Sequence, residues 1–195
     1  MIGASRGLGY ACAAELSREG AQVMISARDP ARLTLAAGQI SRGTGEHVLA
    51  TPADLTNEAD VARLVIAATA AFDHVDVLVL STGHPQRSSF SQADDEQWQS
   101  GVDLVLRPAI RLARALLPGM RSRGYGRLIF IGSIYGVEPE PGSAVQSTLR
   151  AGLNALSKSI AGEAGAAFVA FLASPRGEFF NGTSIVMDGG AVRRC

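Results

Sequence analysis

Three glycines near the start of the chain, Gly3, Gly7 and Gly9, are spaced G-x-x-x-G-x-G between an apolar pair and a helical pattern. That order reads as a strand end, a tight turn and a helix N-terminus. Such a turn presents free backbone N–H groups and the positive end of a helix dipole, which suits a pyrophosphate. Glycine is needed where a Cβ would block the ligand or where φ is positive. Taken alone, the triplet is also compatible with a flexible turn that binds nothing. Arg6 projects from the same turn and adds a cation. A second strand ends in Ile25-Ser26-Ala27-Arg28. An acidic residue there would bind an adenosine ribose and repel a 2′-phosphate. Ser26 and Arg28 instead suit a phosphate monoester, which arginine engages through two donors. Arg6 and Arg28, converging on one corner, predict NADP(H) in preference to NAD(H).

Two more positions carry chemistry. Asp54, just past a third strand, either accepts from an adenine amino group or shapes a turn before the next helix. Ser133 follows a buried strand at its carboxyl end, where catalytic hydroxyls sit in open α/β sheets and where serine is also an ordinary turn residue. His47, His74 and His84 are scattered without metal-ligand spacing, so no metal is expected. His84 lies nearest the ligand edge. Trp98 reads as helix packing.

These residues must be positioned by alternating extended and helical segments. Strands are expected at Ala21–Ser26, His47–Ala50, Val75–Leu80, Arg127–Gly132 and Gly182–Met187. Helices are expected after Gly9, after Asp29-Pro30, from a Thr56 cap to about Phe72, over Asp94–Arg123 and over Ala144–Glu163. Residues 164–173 are again helical. Pro108 should bend the long helix locally. Repeated β-α-β order implies a parallel sheet with helices on both faces: an α/β, doubly wound, three-layer domain. The chain of 195 residues contains no repeat or linker and reads as one domain.

Eighteen basic residues balance eighteen acidic ones, so no basic stripe points to nucleic acid. The longest apolar stretch is far too short to cross a bilayer. Two cysteines, Cys12 and Cys195, make no disulfide framework, and a cytoplasmic setting is expected.

Taken together, the chain resembles the short-chain dehydrogenase/reductase family, particularly its 3-oxoacyl-carrier-protein-reductase-like members. The resemblance rests on Gly3-Ala4-Ser5-Arg6-Gly7-Leu8-Gly9, Asp54-Leu55-Thr56, residues 126–133, Phe171-Leu172-Ala173-Ser174-Pro175 and Asp188-Gly189-Gly190. It implies a Rossmann-type sheet, a nicotinamide cofactor and hydride transfer at a carbonyl or alcohol carbon. It also implies a homodimer or homotetramer, assembled through the two long helices and the C-terminal edge. Ser5, Leu8 and Leu55 join the expected cofactor contacts through these motifs, as do Ser81 and Gly83 through the segment Leu80-Ser81-Thr82-Gly83.

The departures from the family pattern are specific. That segment stands where the family has Asn-Asn-Ala-Gly. Ser133 matches the family serine, but the tyrosine and lysine positions fall on Gln146 and Arg150. Val105 stands where the long helix would carry asparagine. Gln146 has no ionisable proton. Arg150 is a permanent cation that binds ribose or polarises an oxygen without releasing a proton near neutrality. The pattern is closest to a divergent subgroup with a short polar segment and arginine in place of tyrosine and lysine. Tyr135, or water, is the candidate substitute acid. Loss of the proton donor would remove about two to four powers of ten in rate.

The expected site set is therefore Ser133, Gln146 and Arg150 for chemistry, with the glycine turn, Arg28, Asp54, Leu55, Ser81 and Gly83 for cofactor. Two function classes follow: an NADP(H)-dependent oxidoreductase with an atypical centre, and a weak or inactive dinucleotide-binding sensor or scaffold. The resemblance also implies that about 50 residues are absent around 163–165, where a central strand and substrate lid belong in a doubly wound sheet. The first strand is expected to be clipped to Met1-Ile2. If 159–168 joins separated segments, its consecutive Cα atoms should depart from the trans spacing of about 3.8 Å.

Overall fold

The computed structural model describes residues 1–164. The expected helix over 164–173, the expected strand over 182–187, the two C-terminal motifs and most of the segment 159–168 in which a join is expected lie outside the described residues.

Helix α1 spans Gly7–Arg18, α2 Pro30–Thr44, α3 Glu58–Phe72, α4 Asp95–Ser122 and α5 Ala144–Ala164. The strands are β1 (Val23–Ile25), β2 (Val48–Ala50), β3 (Val77–Leu80) and β4 (Arg127–Phe130). β1 pairs with β2 and β3 with β4, both in parallel. A single residue, Ile2, bridges β1 at Ser26 and β3 at Leu80, so the order runs β2-β1-Ile2-β3-β4. Parallel strands need crossover connections, and α2 and α4 supply those between the paired strands.

Side chains alternate across the sheet and feed a core on each face. Val23, Ile25 and Val48 pack with Leu33 and Ile40 of α2 and Ala13 of α1. Met24, Leu78, Leu80 and Leu128 pack with α3, α4 and α5 through Leu64, Leu112 and Leu153. Each large aliphatic side chain buried this way contributes about 1.5–3 kcal/mol. The fold is the expected three-layer α/β arrangement.

Local chemistry sets the helix boundaries. Asp29 accepts from the Arg32 N–H (3.1 Å) and Pro30 opens α2. Gly45 ends it at φ 82°, where a Cβ would be strained. Asp94 caps α4 through the Gln97 N–H (2.8 Å). The cap of α3 is Asn57, not Thr56: the Asn57 side-chain oxygen Oδ1 accepts from the Ala59 and Asp60 N–H groups. Thr56 instead donates its hydroxyl to Asp54 (2.8 Å). Pro108 is fully buried within the continuous α4, which also contains Pro118. Val105 is fully buried in the core, and Trp98 packs against it. The strand expected to reach Gly132 ends at Phe130, and Ile134–Gly136 form a 3-10 turn inside the following loop.

The Met1 amino group is enclosed, although Met1 as a residue keeps some exposure. It donates to the Met24 carbonyl (2.7 Å), and burial lowers its pKa from 8.0 to about 5. Between those values the unfolded chain holds the proton and the folded chain does not. Stability therefore falls as pH drops from 8 to 5, by up to about 4 kcal/mol, and this contribution is flat outside that window. Urea unfolding of the 195-residue chain at pH 8 and pH 5 should show the slope, and N-terminal acetylation should remove it. An identical slope after acetylation would assign it elsewhere.

Candidate functional site

The carboxyl ends of the strands and the N-terminus of α1 enclose a cleft of about 450 Å³. Gly3, Ser5, Arg6 and Gly7 form its floor, Arg28 and Asp54 one end, and Ser81, Gly83 and His84 the other. Leu55 lines it as well. The sequence-expected cofactor residues are therefore neighbours in space, apart from Leu8 and Gly9. Leu8 is exposed away from the cleft wall, and Gly9 is buried beneath the turn.

The turn is built for close approach. A Cβ on Gly3 would lie 2.1 Å from the Ser81 carbonyl oxygen, and one on Gly9 would lie 2.2 Å from the Gly3 carbonyl oxygen. Gly7 meets nothing within 4 Å but has φ +61°, a conformation suited to glycine. Helix α1 also differs from α2, α3 and α4 at its start. Its N-cap residue, Arg6, makes no side-chain cap bond, and its first turn, like that of α2, holds no acidic residue. The leading N–H groups are thus left for water or a ligand, and the dipole end stays unneutralised. These features fit the diphosphate of a dinucleotide.

At the other corner Arg6 and Arg28 are exposed and have no ion-pair partner among the described residues. Arg32, which sequence reasoning missed, joins them from the first turn of α2 and pairs with Asp29 at 3.2 Å. Its signal was its position three residues after the helix cap. Ser26, expected beside Arg28, is 1% exposed and its hydroxyl points away from solvent. The strand is buried on both faces, so serine at its end turns inward, while Ala27, Arg28, Asp29 and Arg32 line the cleft. Asp54 fills the turn role: its carboxylate accepts from the Thr56 N–H and hydroxyl, and its own N–H donates to Asp60 (2.9 Å). That last bond is the main cause holding the Asp60 carboxyl below its usual range. Asp54 nonetheless lines the cleft, so the turn sets its direction.

The residues expected to do chemistry come from β4, the following loop and α5. Ser133 caps the 3-10 turn by accepting from the Tyr135 N–H (3.3 Å). Gly136 lets that turn lie on α5, since a Cβ there would be 2.8 Å from the Arg150 carbonyl carbon. Gln146 is 4% exposed, and its amide nitrogen lies 3.4 Å from His84 Nδ1. His84 thus joins the cleft to the Ser133 side, a contact spanning 62 residues that no local pattern encodes.

Arg150 is 1% exposed. It donates to the carbonyls just past β3 and β4, Gly83 and Ile131, both at 2.9 Å. Burial without a carboxylate partner among the described residues lowers its pKa. In this arrangement the guanidinium ties two strand ends to α5. Tyr135 is engaged from outside: Arg87 donates to its hydroxyl (3.1 Å) and lies over its ring. Arg87 also reaches the Pro141 carbonyl and Glu140, and Ser88 bridges to Ser143.

A model of the short chain dehydrogenase family matches residues 1–173. The chain belongs to the short-chain dehydrogenase family. An uncharacterized oxidoreductase of Staphylococcus aureus strain USA300 is 30% identical over 160 residues, covering 82% of this chain and 68% of the relative. The NADPH and L-sorbose complex of L-sorbose reductase from Gluconobacter frateurii is similar at 34% identity and TM-score 0.80. That match covers 84% of this chain and 62% of that one. An NADPH-bound short chain oxidoreductase of Pseudomonas aeruginosa PAO1, described as containing an atypical catalytic center, matches at 29% identity and TM-score 0.79. It covers 83% of this chain and 63% of its own. The chain thus spans less than two thirds of the length of these two structures. Among the described residues of this family member, no helix is long and apolar enough to cross a membrane, and no acidic, histidine and cysteine cluster could hold a metal ion.

Proposed function

We propose that this short-chain dehydrogenase binds NADP(H) in the 450 Å³ cleft and transfers hydride between the nicotinamide and a carbonyl or alcohol carbon at an atypical centre. The observation that carries the reading is the uncapped N-terminus of α1, set under a glycine turn and facing unpaired Arg6 and Arg28. When bound, the cofactor supplies the hydride.

The chain's own residues supply binding and orientation. The α1 N–H groups and the Gly3–Gly7 turn hold the diphosphate. Arg6 and Arg28, with Arg32 behind them, take the adenosine 2′-phosphate. Ser81 and Gly83 meet the cofactor where the strands end. Ser133 donates to the substrate oxygen, and Gln146 contributes a hydrogen bond. Arg150 positions the Gly83 and Ile131 backbones and adds a fixed positive charge beneath them. Gln146 and Arg150 hold no exchangeable acid near neutrality, so the proton arrives from water, Tyr135 or His84. Assembly as a homodimer or homotetramer belongs to this reading.

NADPH fluorescence tests the cofactor claim directly. Arg28→Ala should weaken NADPH at least tenfold while changing NADH by less than threefold, since a charge-assisted bond to phosphate contributes about 1.5–3 kcal/mol. Equal effects on both cofactors would remove the preference. No binding of either would end the proposal.

A second reading has its own observation: Gln146 is a buried amide and Arg150 a buried guanidinium bonded to two protein carbonyls, where the resemblance would put tyrosine and lysine. That suits a dinucleotide-binding sensor or scaffold. NADPH oxidation against a panel of ketones and quinones separates the two. Turnover lost in Ser133→Ala supports the enzyme. Tight binding with no turnover on any substrate supports the sensor.

A further inference from the structure

His84 lines the cofactor cleft with an exposed side chain, yet its backbone is held on both sides. The Gly83 carbonyl before it accepts from the buried Arg150 guanidinium at 2.9 Å. Pro85 after it is buried, and a Cβ on Gly101 of α4 would lie 3.7 Å from the Pro85 Cβ. A residue before proline is also steered toward extended backbone. β3 and β4 run parallel with Leu80 beside Phe130, and Arg150 holds the Ile131 carbonyl as well (2.9 Å). His84 and Ser133 thus leave the sheet from neighbouring strand ends that share one clamp.

Gln146 meets the ring from α5. Its amide nitrogen, 3.4 Å from His84 Nδ1, donates to an unprotonated Nδ1 and leaves the ring proton on Nε2. The same amide, turned over about its last bond, presents oxygen and accepts from the Nδ1–H of an imidazolium. A carboxylate there would favour the charged ring alone, and an aliphatic side chain would serve neither form. A partner suited to both protonation states is what a ring needs if it gives up a proton in each turnover. The other candidate acid, Tyr135, has its hydroxyl fastened to the loop wall by Arg87 (3.1 Å).

We propose that His84 is the catalytic general acid of this centre, and that Gln146 is the positioning residue that holds its ring in either protonation state. This role rests on the hydride-transfer reading above. In carbonyl reduction, the Ser133 hydroxyl and the His84 Nε2–H both donate to the substrate oxygen. As the carbonyl carbon takes the hydride and its two electrons, the C=O π pair withdraws to oxygen and captures the Nε2 proton. The products are the alcohol, NADP⁺ and a neutral imidazole, and water re-protonates the exposed ring. Arg150 is a fixed cation that cannot make this exchange, whereas imidazole is the side chain type suited to it near neutrality.

Nitrogen-15 NMR of the histidine-labelled chain, without cofactor, reads the ring directly. The chain has three histidines, and His84→Ala assigns the signal. Gln146→Glu places a carboxylate at Nδ1, which favours the charged ring, and should raise the His84 titration midpoint by about one pH unit or more. Arg150 of α5, Arg87 and Tyr135 of the flanking loops and Arg6 of the cleft floor flank this corner, with Arg28, Asp29, Arg32 and Asp54 at the far end of the cleft. All of these stay the same in the variant, so the shift reports the Nδ1 partner. With NADPH bound, kcat for reduction should fall as pH rises through the same midpoint, and Gln146→Glu should move that fall upward by the same amount. Should the variant fail to fold, an NOE between the Gln146 amide protons and His84 Hε1 in the wild type reads the contact instead. His84→Ala should lower kcat about 10²- to 10⁴-fold, keep NADPH affinity within about threefold, and recover part of its rate with added imidazole. A midpoint unmoved by Gln146→Glu, an absent NOE, or a His84→Ala rate close to wild type overturns this role and leaves the oxidoreductase reading standing. A loss confined to Tyr135→Phe assigns the proton to the phenol. NADPH binding without turnover on any ketone or quinone overturns the oxidoreductase reading itself, and this role with it.

Discussion

Gly9→Ala is expected to abolish NADPH binding and to destabilise the fold by about 3 kcal/mol. The added Cβ would meet the Gly3 oxygen at 2.2 Å, the Gly3 carbon at 2.8 Å and the Ala4 Cα at 3.1 Å. All three are backbone atoms, so no side chain can yield. Helix α1 must move away from the turn, and the N–H groups it aims at the cleft move with it. Gly7→Ala gives the internal control. It meets nothing within 4 Å but sits at φ +61°, so its cost is backbone strain of roughly 1 kcal/mol. Urea unfolding and NADPH fluorescence should rank Gly9→Ala well beyond Gly7→Ala in stability. If the two cost the same, close packing of α1 on the turn is not what Gly9 serves.

Arg150→Ala is expected to cost about 3–5 kcal/mol, from a cavity and from carbonyls that lose their donors. One term opposes it: removing a buried cation relieves its desolvation. The bonds are expected to win because the Gly83 and Ile131 carbonyls both lose a donation made at 2.9 Å. Arg150→Met separates the terms, since it fills the space and removes the charge. It should cost about 1–3 kcal/mol. Both variants should also loosen the Ser81–His84 segment and weaken NADPH, with the weakening following the stability loss. A chain whose stability changes by under about 1 kcal/mol in Arg150→Ala would mean that the two bonds contribute little net.

The parts of this molecule that sequence made legible are those encoded locally. The glycine triplet, the alternation of strand and helix and the Asp29-Pro30 helix start all act within a few residues, and the structure follows them. Where two neighbours had equal chemistry, local reasoning chose wrongly. Thr56 and Asn57 can both cap a helix, and the choice turned on Asp54 engaging the threonine hydroxyl first. Ser26 failed for a different reason. A residue at a strand end faces a ligand only if the sheet leaves that face open, and here both faces are covered. Arg32 depended on the direction in which α2 leaves the sheet. Least legible were the contacts across the site. His84 meets Gln146, and Arg150 meets Gly83, through separations of 62 and 67 residues. Motif counting singled out Gln146 and Arg150. It could not show that one is paired with histidine and the other with two strand ends.

The Arg87 contacts carry a consequence for how the two loops they join can change. Arg87 fastens the loop after β3 to Tyr135, Pro141 and Glu140, and the Ser88–Ser143 bridge stitches the same two loops through their backbones. Two loops far apart in the chain therefore form one wall. A mutation on either loop shifts the other, so paired substitutions there will be epistatic rather than additive. A library that varies one loop at a time explores only those shapes the opposite loop already tolerates.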